Sequence, residues 1–468
     1  MHVAGTGESM SLPSADPSGL RRSLQRRHMQ MIALGGVIGA GLFVGSGVVI
    51  ASAGPAAVVS FALTGTLVVL VMRMLGEMAI AYPAVGGFYE YNRLALGELA
   101  GFLTGWMYWY FWVIVVALEA VAGAKILGSW WPMIAPWQFT LALMSVFTIV
   151  NLLSVRSYGE VEFWFASIKV AAIVAFLCAG ALFAFGAWPG TAGGVAQLSA
   201  HGGFMPNGII PVLTGAVAAT GFYFGAEIVT IAAAESAEPE RAVAETTQSV
   251  IWRVLVFYIG SIFLVVAIVP WDDTVRIARP YVSVMEVLRI PAAATVMSLV
   301  ILTAVLSALN SGLFASSRML MALARRHDAP ASLAKLDARG VPVVAILAST
   351  AFGYVTVAMS YLSPDKIFAF LVNSYGTVAI FVYVLIAVAE LRLRRRLEQE
   401  APERLRMRMW GYPWLTCVAI LGMLAILAAM SIISEQRTAL LFGLLSALVL
   451  LGAYGLRHLV RRQAPAAR

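Results

Sequence analysis

Long apolar runs separated by short polar segments dominate the chain. A helix that crosses a bilayer needs about 20 apolar residues, and about a dozen runs reach that length. The pattern predicts an all-α integral membrane protein with about 12 transmembrane helices, whose limits are defined to within about four residues. The runs cover residues 29–52, 55–80, 101–128, 137–155, 161–186, 209–235, 249–270, 292–323, 341–362, 366–391, 412–433 and 436–458.

Glycines interrupt two of these runs near mid-membrane. The first run contains six glycines between residues 35 and 47, and the sixth contains glycines followed by Phe224-Gly225-Ala226-Glu227. Each glycine inside a helix costs about 0.5–1 kcal/mol relative to alanine. One such glycine is better explained by close helix packing, but two clusters predict unwound segments that are buried or line a wet cavity.

The two interrupted runs lie five spans apart, which is typical of inverted repeats in transporters. We therefore expect two five-helix repeats within one permease-like membrane domain, residues 21–463. A disordered cytoplasmic tail is expected to precede this domain. The repeats cover about residues 28–186 and 205–392, the extra helices about 412–433 and 436–458, and the tail residues 1–20.

Composition and charge agree with lipid as the main partner. Only 12% of the 468 residues are charged and 60% are hydrophobic, whereas a soluble protein carries about 25% charged residues. The net charge of +8 comes from basic clusters before the first predicted span and after the eighth, tenth and twelfth. The loops 53–54, 129–136 and 187–207 contain no Lys or Arg. This asymmetry predicts no nucleic-acid partner and, by the positive-inside rule, both termini in the cytoplasm of a cell (inner) membrane protein.

Charged side chains inside the spans are the candidates for function. Lys169 lies about nine residues, or about 13 Å, into the fifth span, where a charge costs about 2.5–3.5 kcal/mol. It is a candidate for a fixed or titrating cation; the alternative is a lysine that reaches back to the membrane surface. Glu119 and Glu227 have no evident partner nearby in sequence. They are proton-coupling candidates or, alternatively, hydrogen-bonded structural carboxylates.

Enzyme chemistry is not indicated. Cys178 and Cys417 fall inside predicted spans, which argues against a disulfide framework or a cysteine metal site. The GGVIGAG tract resembles a dinucleotide-binding run but no strand precedes it. We therefore predict no enzyme, no cofactor and no metal. The histidines lie outside the predicted spans or at their ends, at His2, His28, His201, His327 and His458.

Six tracts distributed along the chain carry a family pattern. Together they resemble bacterial amino acid permeases of the amino acid–polyamine–organocation superfamily, within its amino acid transporter family, and most nearly the γ-aminobutyrate permease branch. The resemblance runs from about residue 22 to about residue 460. The tracts are GGVIGAGLFVGS (35–46), MRMLGEMA (72–79), NLLSVRSYGEVEFWFASIKV (151–170), GGFMPNG (202–208), FGAEIVTIAAAES (224–236) and SALNSGLFASSRMLMALARRHDAP (307–330).

This resemblance implies a secondary transporter that imports an amino acid with a proton by alternating access. The implied fold is the 5+5 inverted-repeat, leucine-transporter-like fold with discontinuous helices 1 and 6. The first break would offer N–H groups to the substrate carboxylate and the second would offer carbonyls to the ammonium, in agreement with the partial charges of about ±0.5 at helix ends. The implied substrate-binding residues are Gly35, Gly36, Val37, Gly39, Ala40, Gly41, Phe222, Tyr223, Phe224 and Gly225.

Three positions refine this expectation. Lys169 matches a fifth-helix lysine proposed to fill a sodium site, which favours proton coupling. Glu227 matches a sixth-helix carboxylate that is expected to support the break. Gly41 stands where γ-aminobutyrate permeases tend to have the Ser of GVIGASLF, a departure towards aromatic and general amino acid permeases.

The expected substrate is therefore γ-aminobutyrate or another small neutral amino acid, which Tyr223, Phe224 and Trp112 would favour over a polycation. The alternatives are a permease for aromatic or other α-amino acids, and an amino acid exchanger or sensor. The absence of a signalling domain argues against a sensor. The oligomeric state is not predicted.

Overall fold

The apolar runs fold as helices over nearly the predicted lengths. The computed structural model describes residues 24–35, 38–39, 41–82, 87–189, 194–232, 245, 247, 249 and 252–463. The predicted tail and the predicted site residues Gly36, Val37 and Ala40 lie outside this part of the chain. The first seven helices are α1 Arg26–Gly35, α2 Ser46–Ala53, α3 Ala57–Ala81, α4 Phe88–Leu96, α5 Glu98–Trp130, α6 Pro136–Leu153 and α7 Val155–Ala184.

The remaining helices continue in the same all-α pattern. Two π-helical segments, Gly41–Gly45 and Arg253–Gly260, lead into α2 and α10. The helices are α8 Ile209–Tyr223, α9 Ile228–Ala232, α10 Ser261–Ile268, α11 Thr274–Ile277, α12 Pro280–Val287, α13 Ala293–Arg325, α14 Val343–Leu362, α15 Pro364–Glu400, α16 Trp414–Ile432 and α17 Ser434–Gln463.

The largest differences from the predicted limits lie at polar helix ends. Helix α7 begins six residues earlier than predicted because the Ser154 side chain accepts a hydrogen bond from the Ser157 N–H, 3.0 Å away, and caps the helix. Helix α15 continues to Glu400, supported by i,i+4 ion pairs such as Arg396–Glu400 at 2.8 Å. Apolar patterning therefore locates the spans but underestimates their polar ends.

Both predicted breaks are present. Helix α1 is described as far as Gly35, the backbone bends at Ile38 and Gly39, and helical structure is described again from Gly41. In the sixth span, Phe224 is extended (φ −68°, ψ 139°), and α9 begins only at Ile228. Gly225 has φ 125°, a value that favours glycine because it lacks a Cβ. The predicted discontinuity of the first and sixth spans is thus confirmed.

Within the described residues, nine helical stretches are long and apolar enough to cross a membrane. One of them, Gly41–Ala81, combines the second half of the first predicted span with the second. Leu255–Ile268 is a shorter apolar helix and corresponds to the seventh span, and α15 corresponds to the tenth. The predicted all-α membrane fold with about twelve spans is confirmed.

Helices α5 and α13 form the centre of the bundle, and they approach each other closely. A Cβ at Gly312 of α13 would lie 2.7 Å from Val116 Cγ2 and 2.9 Å from Trp112 Cε3 of α5. Helices α16 and α17 lie at the periphery and carry exposed leucines such as Leu441 and Leu448. Helices α5, α7 and α13 lie against the first break, where Glu119, Lys169 and Ala308 approach Ile38 and Gly39.

Candidate functional site

Lys169 reaches the first helix break from α7. Its side chain is fully buried, and Nζ donates to the Ile38 carbonyl at 2.9 Å and to Ser307 Oγ at 2.8 Å. The Ile38 carbonyl lies in the bend between α1 and Gly41, where the backbone has left the helix. The alternative of a lysine that reaches the membrane surface is wrong, because the ammonium points into the bundle.

Glu119 approaches the same break from α5. A Cβ at Gly39 would lie 3.2 Å from Glu119 Oε1 and 3.4 Å from the Ala308 Cβ of α13. Because contacts this short are tighter than those that side chains normally make, glycine allows the carboxylate to come this close. Two of the predicted coupling candidates, Lys169 and Glu119, therefore flank one break.

A third charged group, Glu162, completes this cluster, and sequence reasoning missed it. Ser307 Oγ donates to Glu162 Oε1 at 2.5 Å, and the glutamate is fully buried. It lies seven residues before Lys169 on α7, which places both side chains on one helix face. That i,i+7 spacing of opposite charges is the sequence signal that could have identified it.

Glu227 lies at the second break and is fully buried. Its two carboxylate oxygens accept from the Gly225 N–H at 3.1 and 3.0 Å. The hydroxyls of Tyr108 on α5 and Tyr383 on α15 donate to Oε1 and Oε2, each at 3.1 Å. The carboxylate thus caps the break between α8 and α9 and ties it to two other helices. Neither tyrosine was singled out from the sequence.

Phe222 links the two breaks. A Cβ at Gly41 would lie 2.6 Å from Phe222 Cδ1, and a Cβ at Gly45 would lie 2.6 Å from Phe222 Cζ. Its ring therefore occupies the space that side chains at these glycines would need. The Phe222 carbonyl accepts from the Tyr258 hydroxyl at 2.9 Å.

Tyr223 and Phe224 point in different directions from the end of α8. The Tyr223 hydroxyl donates to the Phe61 carbonyl of α3 at 2.9 Å, so this side chain faces α3. The Phe224 ring packs against Phe111 and Tyr383, with centroid distances of 4.2 and 4.8 Å. Of the three predicted aromatic positions, Phe222 contacts the glycines of the first break and Phe224 faces α5 and α15.

The arrangement offers complementary partners for a zwitterion. Helix ends at a break expose carbonyls on one side and N–H groups on the other, with partial charges of about 0.5. The helical segment after the first break starts at Gly41, and α8 ends at Tyr223. Among the residues that the structure describes, no cluster of three or more His, Cys, Asp or Glu could hold a metal ion.

The sequence is similar to that of known permeases over most of its length. The family model described as "Amino acid permease" matches residues 28–466. The chain is 50% identical over 436 residues to the "Gamma-aminobutyric acid permease" of Bacillus subtilis (strain 168), covering 93% of each chain. It is 40% identical over 418 residues to the "Aromatic amino acid transport protein AroP" of Corynebacterium glutamicum (strain ATCC 13032), covering 87% of this chain and 90% of that one.

A solved structure agrees in fold. It is that of Mhp1, a nucleobase-cation-symport-1 family transporter in a closed conformation with bromovinylhydantoin bound. The TM-score is 0.55 at 13% sequence identity, and the match covers 93% of this chain and 94% of that one. The likeness supports the leucine-transporter-like fold with broken helices 1 and 6. Since the family model and the relatives span nearly the whole sequence, the chain belongs to the amino acid permease family.

Proposed function

We propose that this permease imports a small amino acid together with a proton, and that γ-aminobutyrate is the first candidate substrate. The 50% identical relative is a γ-aminobutyric acid permease, which supports the substrate class. The observation that carries proton coupling is the buried contact of Lys169 Nζ with the Ile38 carbonyl, 2.9 Å long, at the first break.

The proposed binding mode uses both breaks. The substrate carboxylate would accept from N–H groups of residues 35–41, and its ammonium would contact carbonyls of residues 222–225. The start of a helical segment at Gly41 and the C-terminal end of α8 at Tyr223 support this mode, because half-helix N-termini bind anionic groups and C-terminal ends bind cations in transporters. In this proposal Glu227 holds the second break in shape and makes no direct contact with the substrate.

Lys169 would couple proton binding to the conformation of the interrupted first span. When protonated, its ammonium attracts the Ile38 carbonyl; when neutral, it loses that charge and the contact weakens. A protein-borne cation at this position makes a bound sodium ion unnecessary. One proton moving down 100 mV supplies about 2.3 kcal/mol, enough for roughly fifty-fold accumulation of a neutral zwitterion.

The proposed cycle is alternating access around one mid-membrane site. Substrate and proton bind from outside, and the first and sixth spans then rock with the second and seventh against the remaining helices. Both ligands are released inward. The proposed location is the cell inner membrane with both termini in the cytoplasm, as the charge asymmetry of the loops indicates.

Import of an aromatic amino acid is the second candidate, favoured by the relative AroP at 40% identity. Gly41 supports it less than the sequence suggests, because the Phe222 ring fills the space beside this glycine. This contact explains why a glycine stands at position 41 without requiring a large substrate.

Purified protein in proteoliposomes tests the proposal. Counterflow would be screened with radiolabelled γ-aminobutyrate, β-alanine, proline, and aromatic and cationic amino acids. The selected substrate would then be measured with and without an imposed proton gradient, at acidic and neutral pH. We expect counterflow of γ-aminobutyrate and gradient-driven accumulation. Uptake unaffected by the gradient at both pH values would remove proton coupling.

Replacement of the buried lysine tests its role directly. We expect Lys169→Ala to lose most of the roughly fifty-fold accumulation that a 100 mV gradient can drive, because the variant lacks the amine that binds the coupled proton beside Ile38. Lys125→Ala, at an exposed lysine of α5, is the matched control. Gradient-driven uptake of Lys169→Ala at the wild-type rate and pH profile would contradict the assignment.

A further inference from the structure

Buried polar side chains form a ladder between α7 and α13. On α7, Tyr158, Glu162 and Lys169 follow at spacings of four and seven residues; on α13, Ser307 and Ser311 are four residues apart. These spacings place each set on one helix face, and all five side chains are buried. The ladder starts at the first helix break and runs towards the end of α7 that is predicted to be cytoplasmic.

The part of the ladder next to the first break is a hydrogen-bond chain in which each donor points in the same direction. Lys169 Nζ donates to Ser307 Oγ at 2.8 Å, and Ser307 Oγ donates to Glu162 Oε1 at 2.5 Å. A serine hydroxyl has one proton and two lone pairs, so Ser307 accepts from the amine while donating to the carboxylate. This geometry suits transfer of a proton from nitrogen to oxygen without movement of either side chain.

The surroundings of Glu162 allow it to hold a proton. Ser311 and Asn310 also face its carboxylate, and the charged groups that act on Lys169 are Glu162 and Glu119. The Glu162 side chain is fully buried. A buried carboxylate is costly when charged, and protonation reduces that cost.

We propose that Glu162 is the proton acceptor for Lys169 and the release group on the inward path, a step that rests on the proposed proton coupling. The Lys169 ammonium gives one proton to Ser307 Oγ, and the Ser307 hydroxyl proton passes to Glu162 Oε1. The ion pair thus becomes a neutral amine and a neutral carboxylic acid. The proton leaves Glu162 for water once the inward side opens.

An aromatic stack closes the lower end of the ladder. The Tyr158 and Phe314 rings stack with centroids 4.1 Å apart and an interplanar angle of 5°, and Tyr158 is only 1% exposed. Its hydroxyl lies 3.4 Å from Ser311 Oγ. Water cannot reach Glu162 past this stack until the helices separate, so the proton is released only in the inward-open state.

Glu162→Gln is the decisive variant, because it keeps an acceptor for Ser307 but cannot carry a proton. In proteoliposomes with radiolabelled γ-aminobutyrate, counterflow needs no net proton transfer, whereas accumulation driven by a pH gradient does. We expect counterflow to persist and the ratio of gradient-driven uptake to counterflow to fall by about tenfold or more. Acidification of the lumen, followed with a trapped pH dye, should fall in parallel.

Glu390→Gln is the matched control. Glu390 is a fully buried carboxylate on α15 that accepts from the Thr416 hydroxyl at 3.1 Å and lies outside the ladder. Its ratio should equal that of the wild type. A Glu162→Gln ratio equal to the wild type overturns the release role, whereas wild-type uptake that ignores the gradient overturns the proposed coupling itself.

Ser307→Ala is a second test of the proton relay, for the case in which Glu162→Gln loses counterflow because it misfolds. It removes the bridging hydroxyl and keeps both charged groups. Counterflow with a ratio lowered about tenfold supports the relay, and a wild-type ratio overturns it.

Discussion

At the residue scale, the glycines of the first break serve different neighbours. Gly39 makes room for the Glu119 carboxylate, because a Cβ at this position would lie only 3.2 Å from Oε1. Gly41 and Gly45 make room for the Phe222 ring. The glycine cluster therefore does two things at once: it interrupts the helix, and it lets side chains from α5 and α8 touch the interrupted backbone.

The contact between Gly41 and Phe222 predicts a paired mutational effect. Gly41→Ala should lower the stability of the purified protein by about 1–3 kcal/mol, the usual penalty of overpacking. Phe222→Leu in the same chain should recover part of that loss, because the smaller side chain vacates the space. Thermal unfolding in detergent measures both effects.

Gly128→Ala on α5 is the control for this pair, since a Cβ there meets nothing within 4 Å. Additive effects of Gly41→Ala and Phe222→Leu would show that the two positions are not coupled.

Sequence reasoning identified some site residues and missed others for physical reasons. Lys169, Glu119 and Glu227 stood out because a charge inside an apolar run is costly. Glu162 did not, because the predicted span began at residue 161 and placed it at the membrane surface. Helix α7 begins at Val155, which moves Glu162 inward.

Tyrosine partners were missed for another reason. Tyr108 lies in an aromatic stretch of α5, and its hydroxyl gives no indication of which residue it faces. Its contact with Glu227 spans 119 residues of sequence. Such a pairing depends on how the helices pack, which the apolar pattern alone does not specify.

At the scale of elements, α1 docks on α7 through a close contact. A Cβ at Gly159 of α7 would lie 2.9 Å from Leu24 Cδ2 and 3.0 Å from His28 Nδ1. Next to it, Glu160 Oε1 lies 2.5 Å from Arg27 Nη2 and 3.2 Å from His28 Nε2. This half-exposed polar contact and the glycine hold α1 against the helix that carries Lys169.

We expect Gly159→Leu to displace α1 from α7, because the added side chain has no space. A cysteine at Ser167, whose hydroxyl lies 3.9 Å from Met31 Sδ of α1, reports the displacement in a background without Cys178 and Cys417. Its maleimide labelling should become several-fold faster. Gly128→Leu should leave the labelling rate unchanged, and an unchanged rate in Gly159→Leu would contradict the docking role.

Glu160→Gln should have a smaller effect on the same labelling rate. Arg27 is 45% and Glu160 30% exposed, and ion pairs at such positions contribute about 0–1 kcal/mol. Close packing at Gly159, rather than charge, is therefore the stronger link between the two helices.

At the scale of the whole molecule, the apolar pattern predicted about twelve spans, and the glycine clusters predicted two breaks five spans apart. It could do so because lipid requires every spanning backbone group to be satisfied within a helix. Helix packing around α5 and α13, by contrast, depends on contacts such as Gly312 with Trp112. Those contacts join residues far apart in sequence and have no local signature.

Loop charge makes a topological prediction for the whole chain. Green fluorescent protein fused after Gln463 should fluoresce, and alkaline phosphatase inserted after His201 should be active, because basic segments stay in the cytoplasm. Both fusions would be read in intact cells. A dark fluorescent fusion at Gln463 together with an inactive phosphatase insert at His201 would reverse the proposed orientation.

The carboxylate at the second break also constrains how this sequence can evolve. One glutamate satisfies a backbone amide and two phenols from distant helices, so losing it strands three donors in a single step. Replacing either tyrosine removes only one of the donors to this carboxylate. We therefore expect lineages to retain position 227 longest and to exchange its two phenol partners only with compensating changes nearby. Substitution in this family should therefore be slowest at the glutamate whose carboxylate accepts hydrogen bonds from three separate parts of the bundle.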